Sequence, residues 1–203
     1  MARQYPTAAI VAVDQSPVLL TVVGDRLRAY GRHIDLVAAD FHHLRGVLAD
    51  IDVAVAAFCL YHSQYPNQVL AEISTCLAPG GYVIATTKSA DSYTDIDQII
   101  AASGMDPNAC SRPSLYETFH TGNAEAALTM AGLVLRRRLD QQHTFRFADL
   151  AHLAEYVVTS PKYQLPPRLS ADPAALAAVL RTRLPDAPVT ATSTVTYLVA
   201  ARP

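Results

Sequence analysis

Two aspartates each follow a short apolar run near the start of the sequence. Asp14 follows the run at residues 8–13, and Asp40 follows the run at residues 34–39. If these runs are neighbouring parallel strands, both carboxylates lie at the carboxyl edge of a sheet, where open α/β sheets bind their ligands. A carboxylate at that edge can accept hydrogen bonds from hydroxyl or amino groups. The alternatives are that Asp14 caps a helix, because Asp-Gln-Ser-Pro is a good helix start, and that Asp40 is a solvated strand end.

Other candidate site residues come later in the chain. Tyr61 and His62 follow a third apolar run, residues 51–58. A histidine there can act as a general base near neutral pH, although it could equally cap the cleft or bond a backbone carbonyl. Tyr116 and His120 lie in an irregular segment where substrate contacts are expected, and that expectation rests on position alone.

The histidines and cysteines predict no metal site. His42 and His43 are adjacent and lack a third ligand at zinc spacing. Cys59, Cys76 and Cys110 have spacings that match neither a metal site nor a disulfide framework. Free cysteines predict a reducing, cytoplasmic compartment.

The elements that would position these residues alternate between strands and helices in the first half. This alternation predicts an α/β fold with a parallel sheet. The predicted strands are residues 8–13, 34–39, 51–58 and 82–87, and the predicted helices are residues 17–29 and 66–77. Pro79, Gly80 and Gly81 predict a tight turn into the fourth strand.

The second half is less regular. We predict helix fragments and loop over a cleft at residues 89–122, and then a helix capped by Asn123. A strand, two helices and a final strand follow, at residues 133–147, 147–159, 173–184 and 193–201. The chain is expected to form one domain over residues 1–203, with a cofactor-side half at 1–88 and a substrate-side half at 89–203.

Four segments resemble, in order, the class I S-adenosylmethionine-dependent methyltransferases, specifically the methyltransferase type 11/12-like domain. They are residues 11–17, 36–41, 53–62 and 77–84. The resemblance implies a Rossmann-like sheet that is mostly parallel with an antiparallel C-terminal strand. It also implies S-adenosylmethionine as cofactor.

The resemblance assigns roles to the residues above. Asp14 would accept hydrogen bonds from the ribose hydroxyls, and Asp40 from the adenine amino group. The implied cofactor-binding residues are Asp14, Gln15, Asp40, Phe41 and Phe58. The implied substrate-binding residues are Tyr61, His62, Tyr116 and His120, with His62 also the catalytic candidate.

One departure from the family concerns its first strand and Gly-x-Gly-x-Gly turn. Residues 1–6 resemble the end of the helix that follows that turn, and none of the eight glycines stands in a Gly-x-Gly pair. The N-terminus is therefore expected to be truncated, so the strands at 8–13 and 51–58 must pair with each other, borrow a strand from another chain or expose their edges. Losing two hydrogen bonds to a charged ligand group would weaken cofactor binding about 10²- to 10⁴-fold.

Three explanations of this departure remain open. The natural start lies upstream, or the protein is a repurposed methyltransferase-like protein without cofactor chemistry, or another arrangement such as an intertwined dimer completes the sheet.

The charge composition limits which classes of binding partner are expected. The formal net charge is -2 and the sequence pI is about 6.4, so neither nucleic acid nor an anionic membrane is expected. The expected function is methyl transfer to a small-molecule acceptor, in a possible homodimer. The alternatives are a non-catalytic binding or interaction protein on the same scaffold and, less favoured, a nicotinamide-dependent oxidoreductase.

Overall fold

The computed structural model describes residues 5–203. The first four positions of the segment interpreted as a helix end therefore lie outside the described residues, while Tyr5 and Pro6 are not helical. Residues 5–203 contain six strands: β1 Val11–Asp14, β2 Asp35–Ala38, β3 Ile51–Ala57, β4 Leu77–Lys88, β5 Val134–Phe147 and β6 Val189–Ala201. The same residues contain six α-helices: α1 Pro17–Arg28, α2 Pro66–Cys76, α3 Thr94–Ala102, α4 Ala124–Met130, α5 Leu150–Thr159 and α6 Pro173–Arg181. Two 3₁₀ turns lie at Leu60–His62 and Ala109–Ser111. Within residues 5–203, no helix has the length and hydropathy needed to cross a bilayer.

The strands form two sheets. β1 pairs with β2 in parallel, and the other four strands have the order β3-β4-β6-β5. β3 and β4 are parallel, whereas β6 runs antiparallel to both of its neighbours. The predicted α/β fold with an antiparallel C-terminal strand is confirmed.

The edges of β1 and β3 are exposed. Within residues 5–203, β1 pairs only with β2 and β3 pairs only with β4. Of the arrangements considered from the sequence, direct pairing of β1 with β3 is therefore not found within residues 5–203. Large apolar side chains are exposed on these two strands and on α1: Val11, Val53, Val55, Val18, Leu19, Val22 and Val23. An apolar edge of this kind favours association with another strand.

Two apolar clusters form the core. The first packs α2 and α4 against β3, β4 and the end of β6, around Leu70, Val83 and Leu128. The second packs α3, α5 and α6 together beside the start of β6, around Ile100 and Leu153. Leu198 and Ala200 belong to the first cluster, whereas Ala191 belongs to the second and Val189 packs against it, so the end of β6 packs in the first cluster and its start in the second.

Pro79, Gly80 and Gly81 lie in a bulge within β4. They do not form the separate turn before the strand that the sequence predicts. Ile51 pairs with Leu77 and Val53 pairs with Tyr82, so residues 78–81 bulge out of the ladder. Gly80 has φ 73°, a left-handed conformation that favours glycine. A Cβ on Gly81 would lie 2.9 Å from the carbonyl oxygens of Ala78 and Ile51.

These two glycines should respond differently to asparagine. Gly81→Asn is expected to lower the free energy of unfolding by about 1–3 kcal/mol, because any Cβ there presses against backbone. Gly80→Asn should cost less than about 1 kcal/mol, since its surroundings are open and asparagine tolerates positive φ. Urea denaturation of both variants measures the difference. Equal losses of unfolding free energy in the two variants would show that a Cβ at position 81 does not clash with the backbone.

Two sequence predictions about helix starts need correction. Asn123 stands at the N-cap of α4, but its side chain makes no capping bond and accepts instead from the His120 amide at 2.7 Å. Ser16, and not Asp14, caps α1 by accepting from the Leu19 amide at 3.4 Å. In both cases the sequence predicted the start of the helix correctly. A competing local hydrogen bond of the aspartate or asparagine side chain then determined which backbone amide it binds.

Candidate functional site

The ends of the first three strands converge. Asp14 pairs with Ala38 in the β1–β2 ladder, and the Ala39 amide donates to the Asp14 carbonyl at 3.2 Å. Val13 packs against the same apolar cluster as Ala54 of β3. The loop after β2 contacts the segment after β3, because His42 Nε2 lies 2.8 Å from Ser63 Oγ. The three strand ends therefore share one edge, as the sequence predicts.

Asp14 is half-buried and keeps one carboxylate oxygen available. Its Oδ1 accepts from the Ser16 amide at 2.8 Å, which fixes the carboxylate at the start of α1. In the described part of the chain, Oδ2 has no protein donor. Asp14 can therefore accept hydrogen bonds from a ligand without giving up its own fold contact.

Asp40 is the first member of a hydrogen-bonded chain. Its Oδ1 accepts from the His42 amide at 2.9 Å and lies 2.7 Å from His42 Nδ1. His42 Nε2 lies 2.8 Å from Ser63 Oγ, which also accepts from the Tyr65 amide at 2.8 Å. The His42 amide and ring hold the pKa of Asp40 below its usual value. Asp40 is thus ionised and oriented, with Oδ2 only 4.0 Å from His43 Nδ1.

Three further predicted cofactor residues lie beside these acids. The Phe41 ring is half-buried, packs against the first core cluster and lies 4.7 Å from the His42 ring. Phe58 follows β3 with φ 54° and is 38% exposed, so its ring is available for contact. Gln15 is exposed between Asp14 and the helix cap. Phe41 and Phe58 therefore add aromatic surface after β2 and after β3.

Tyr61, His62 and Tyr116 form an aromatic group after β3. The Tyr61 ring lies 4.6 Å from the His62 ring and 4.9 Å, edge to face, from the Tyr116 ring. Burial raises the pKa of both tyrosine hydroxyls, so both phenols are neutral at physiological pH. His62 is exposed on the 3₁₀ turn. The structure brings these three predicted residues together.

His120 has a structural contact in the turn before α4. Its Nδ1 accepts from the Gly122 amide at 3.0 Å. The adjacent segment is joined to β4, because Thr87 Oγ1 donates to the Phe119 carbonyl at 2.6 Å and the Thr121 amide donates to the Lys88 carbonyl at 3.1 Å. His120 therefore lies near the end of β4 but outside the aromatic group.

Lys88 is a site residue that the sequence reasoning missed. It is the last residue of β4, and its ammonium lies 5.7 Å from the Phe58 ring centroid, 4.6 Å from that of Tyr93 and 5.5 Å from that of Tyr116. Its Nζ donates to the Tyr93 hydroxyl at 2.7 Å. Its position in the sequence could have indicated it, because Lys88 directly follows the predicted fourth strand, as Asp14 and Asp40 follow the first two.

Two carboxylates, Asp97 and Asp106, tie α3 and the segment before Tyr116 to the link before α6. Arg112 donates to both carboxylate oxygens of Asp106, with Nη2 to Oδ1 at 2.8 Å, and the Gln164 amide donates to the same carboxylate at 2.8 Å. Asp97 accepts from Lys162 and, at 3.0 Å, from the Tyr163 hydroxyl. Both carboxylates are buried. The contacts of Asp106 hold residues 106–112 against the link before α6, and the contacts of Asp97 hold α3 against the same link.

The family comparison matches the first part of the chain. Residues 1–85 match the methyltransferase domain family. No curated protein matches this chain. The matched region contains β1 to β3 and every predicted cofactor residue.

Solved structures share the fold over nearly the whole chain. A Bacillus halodurans protein assigned as a methyltransferase has 16% identity and TM-score 0.66, with 100% of this chain and 87% of that chain covered. The [4+2]-cyclase SpnF has 17% identity and TM-score 0.55, covering 99% and 69%. Geranyl diphosphate methyltransferase in complex with S-adenosylmethionine has 16% identity and TM-score 0.50, covering 100% and 73%. The resemblance to class I methyltransferases is confirmed for the fold.

Proposed function

We propose that the protein transfers a methyl group from S-adenosylmethionine to a small-molecule acceptor. The proposal starts from the match of residues 1–85 to the methyltransferase domain family and from the fold, which is that of the class I methyltransferases. The observation that carries this proposal is the position of Asp14 and Asp40 at the ends of two adjacent parallel strands. This is the edge at which open α/β sheets bind nucleotides.

The side chains at this edge fit the nucleoside half of the cofactor. Asp14 Oδ2 is the acceptor for the ribose hydroxyls, and Gln15 lies beside it as a further polar contact. Asp40 Oδ2 is the acceptor for the adenine amino group, and the Phe41 ring provides an apolar face for the purine. Because His42 already holds Asp40 ionised, that carboxylate is a ready acceptor.

The acceptor side is formed by Tyr61, His62 and Tyr116, and we also place on this side Phe58, which the sequence assigned to the cofactor. Bound S-adenosylmethionine supplies an already activated methyl group on its sulfonium. The protein's own task is to align the acceptor and exclude water, which these rings do by packing around it. His62 is placed to take a proton from the acceptor, because its ring is exposed beside Tyr61. His120 would contact the acceptor only if the acceptor reaches the turn before α4.

Binding without chemistry is the second candidate function. The exposed apolar edges of β1 and β3 favour it, because they are surfaces for another polypeptide. The same fold is found in SpnF, which is described as a [4+2]-cyclase, so methyl transfer is not the fold's sole use.

The expected cellular setting follows from the same features. We place the protein in the cytoplasm, in keeping with the free thiols of Cys59, Cys76 and Cys110. The partner is a small molecule and not nucleic acid or membrane, given the net charge of -2. A homodimer that covers the exposed edges of β1 and β3 is part of this proposal.

Two assays separate the candidate functions. Calorimetric titration with S-adenosylhomocysteine should show binding, and tritiated methyl transfer from S-adenosylmethionine to a panel of small acids, amines and phenols should show product. His62→Ala should lower turnover at least about 100-fold if His62 is the base, whereas His33→Ala, at the opposite end of β2 and 91% exposed, should not. Binding without transfer to any acceptor would favour the second candidate. No binding would overturn the proposed cofactor.

A further inference from the structure

We propose that Lys88, with the rings of Phe58, Tyr93 and Tyr116, binds an anionic group of the acceptor, and that the acceptor is a small carboxylate. This inference rests on the proposed function, because it takes these rings as the acceptor side of the site. It adds the chemical class of the acceptor and a residue that selects it.

The ammonium of Lys88 is surrounded by aromatic surface. Three ring centroids lie within 5.7 Å of Nζ. Such rings stabilise a cation and keep it from extending into solvent. The Tyr93 hydroxyl accepts one of its three N–H donors, at 2.7 Å. Donors therefore remain for a ligand.

Lys88 has no counterion in the described chain. Within residues 5–203, no carboxylate oxygen lies within 4.0 Å of its Nζ. The buried acid of α3, Asp97, is already paired with Lys162 and Tyr163. Removing an unpaired ammonium from water is unfavourable, and an anion bound at Nζ would offset that cost.

Tyr93 is held in a strained conformation over the lysine. Its φ is 68°, in the left-handed region that aromatic residues rarely adopt. The Tyr93 amide donates to the Thr192 carbonyl at 2.8 Å, which fixes this backbone between β6 and α3. Strain of this kind collects at ligand sites. Here it places the phenol against Lys88.

The surroundings define the shape of the ligand. The Phe58 and Tyr116 rings lie beside the Lys88 ammonium, and Tyr61 packs edge to face on Tyr116. A site that combines apolar rings with one charged anchor orients an apolar molecule by its charged end. A small aromatic or aliphatic carboxylate matches that pattern. Its carboxylate would bind Lys88, and its body would lie along the rings next to the cofactor edge.

The test compares benzoate with benzamide, which differ in charge but little in shape. Both are titrated against the full chain by NMR, with and without S-adenosylhomocysteine. Benzoate should bind at least about 10-fold more tightly than benzamide, the difference expected for one charge-assisted hydrogen bond. Lys88→Met should abolish the preference and Lys88→Arg should retain it. Arg26→Met removes an equal charge from the exposed face of α1 and should change nothing.

Equal binding of the two probes to the unmodified protein would overturn the proposal, and so would an unchanged preference in Lys88→Met. The probe comparison on the unmodified protein decides the matter even if Lys88→Met does not fold. The titration of S-adenosylhomocysteine alone reports separately on the cofactor. If benzoate is preferred while S-adenosylhomocysteine does not bind, the anion site stands and the methyl-transfer proposal fails.

Discussion

Replacing Asp14 by alanine is expected to weaken binding of S-adenosylhomocysteine about 100-fold or more. The proposed role gives this carboxylate two hydrogen bonds to the ribose hydroxyls, and hydrogen bonds to charged groups are worth about 1.5–3 kcal/mol each. Two such bonds correspond to roughly a 10²- to 10⁴-fold change in the dissociation constant. NMR titration is suited to the measurement, because it follows weak binding.

The matched control for Asp14 is Asp35→Ala. Asp35 lies at the opposite end of the same parallel pair and is exposed, and within residues 5–203 its carboxylate has one ion-pair partner, His33, at 3.9 Å. It carries the same charge, so loss of general electrostatic attraction would appear equally in both variants. A similar dissociation constant for Asp14→Ala and the unmodified protein would show that Asp14 only organises the start of α1.

Replacing Asp106 by alanine is expected to lower the free energy of unfolding by about 3 kcal/mol. The Asp106 side chain is 3% exposed and Arg112 is 19% exposed, so the substitution leaves a largely buried guanidinium without its partner. It also removes the acceptor of the Gln164 amide. Urea denaturation measures the loss. Asp25→Ala removes an exposed pair with Arg28 and should cost less than about 1 kcal/mol.

The pH dependence of stability tests the ion pair between Asp106 and Arg112 in a second way, with the same Asp106→Ala variant. The hydrogen bond from Arg112 holds the pKa of Asp106 below its usual value. A lowered pKa stabilises the folded chain above the unfolded aspartate pKa of about 3.9, and that contribution is lost as pH falls through the folded value. The difference in stability between the unmodified protein and Asp106→Ala should therefore shrink below about pH 4. If this difference in stability stays constant below about pH 4, the ionised Asp106 does not stabilise the fold through Arg112.

The sequence predicted the strands and the acids at their ends, because these depend on local patterns. Asp14 ends β1 and Asp40 follows β2 as expected, since apolar runs of that length give the strands and the residue after each run falls at the edge. The Pro-Gly-Gly segment was found but misjudged as a turn. Its place inside β4 depends on pairing with Ile51, and pairing between distant segments is not encoded locally.

The rest of the site depends on contacts between distant residues. The chain from Asp40 through His42 to Ser63 joins two loops 21 residues apart, so the sequence indicates the histidine but not its partner. Lys88 meets Tyr116 only because the segment before α4 folds back onto β4. No period or motif predicts this, and only the three-dimensional structure reveals the cluster.

One measurement tests most directly whether the shared edge of β1, β2 and β3 holds the cofactor. Amide chemical shifts of the unmodified protein, recorded while S-adenosylhomocysteine is added, report the location of binding even when affinity is in the millimolar range. We expect the shifts to concentrate at residues 14–16, 40–42 and 58–62. Shifts confined to the opposite end of β1 and β2, where Ile10, Arg32 and Asp35 line a depression, or no shifts at all, would contradict it.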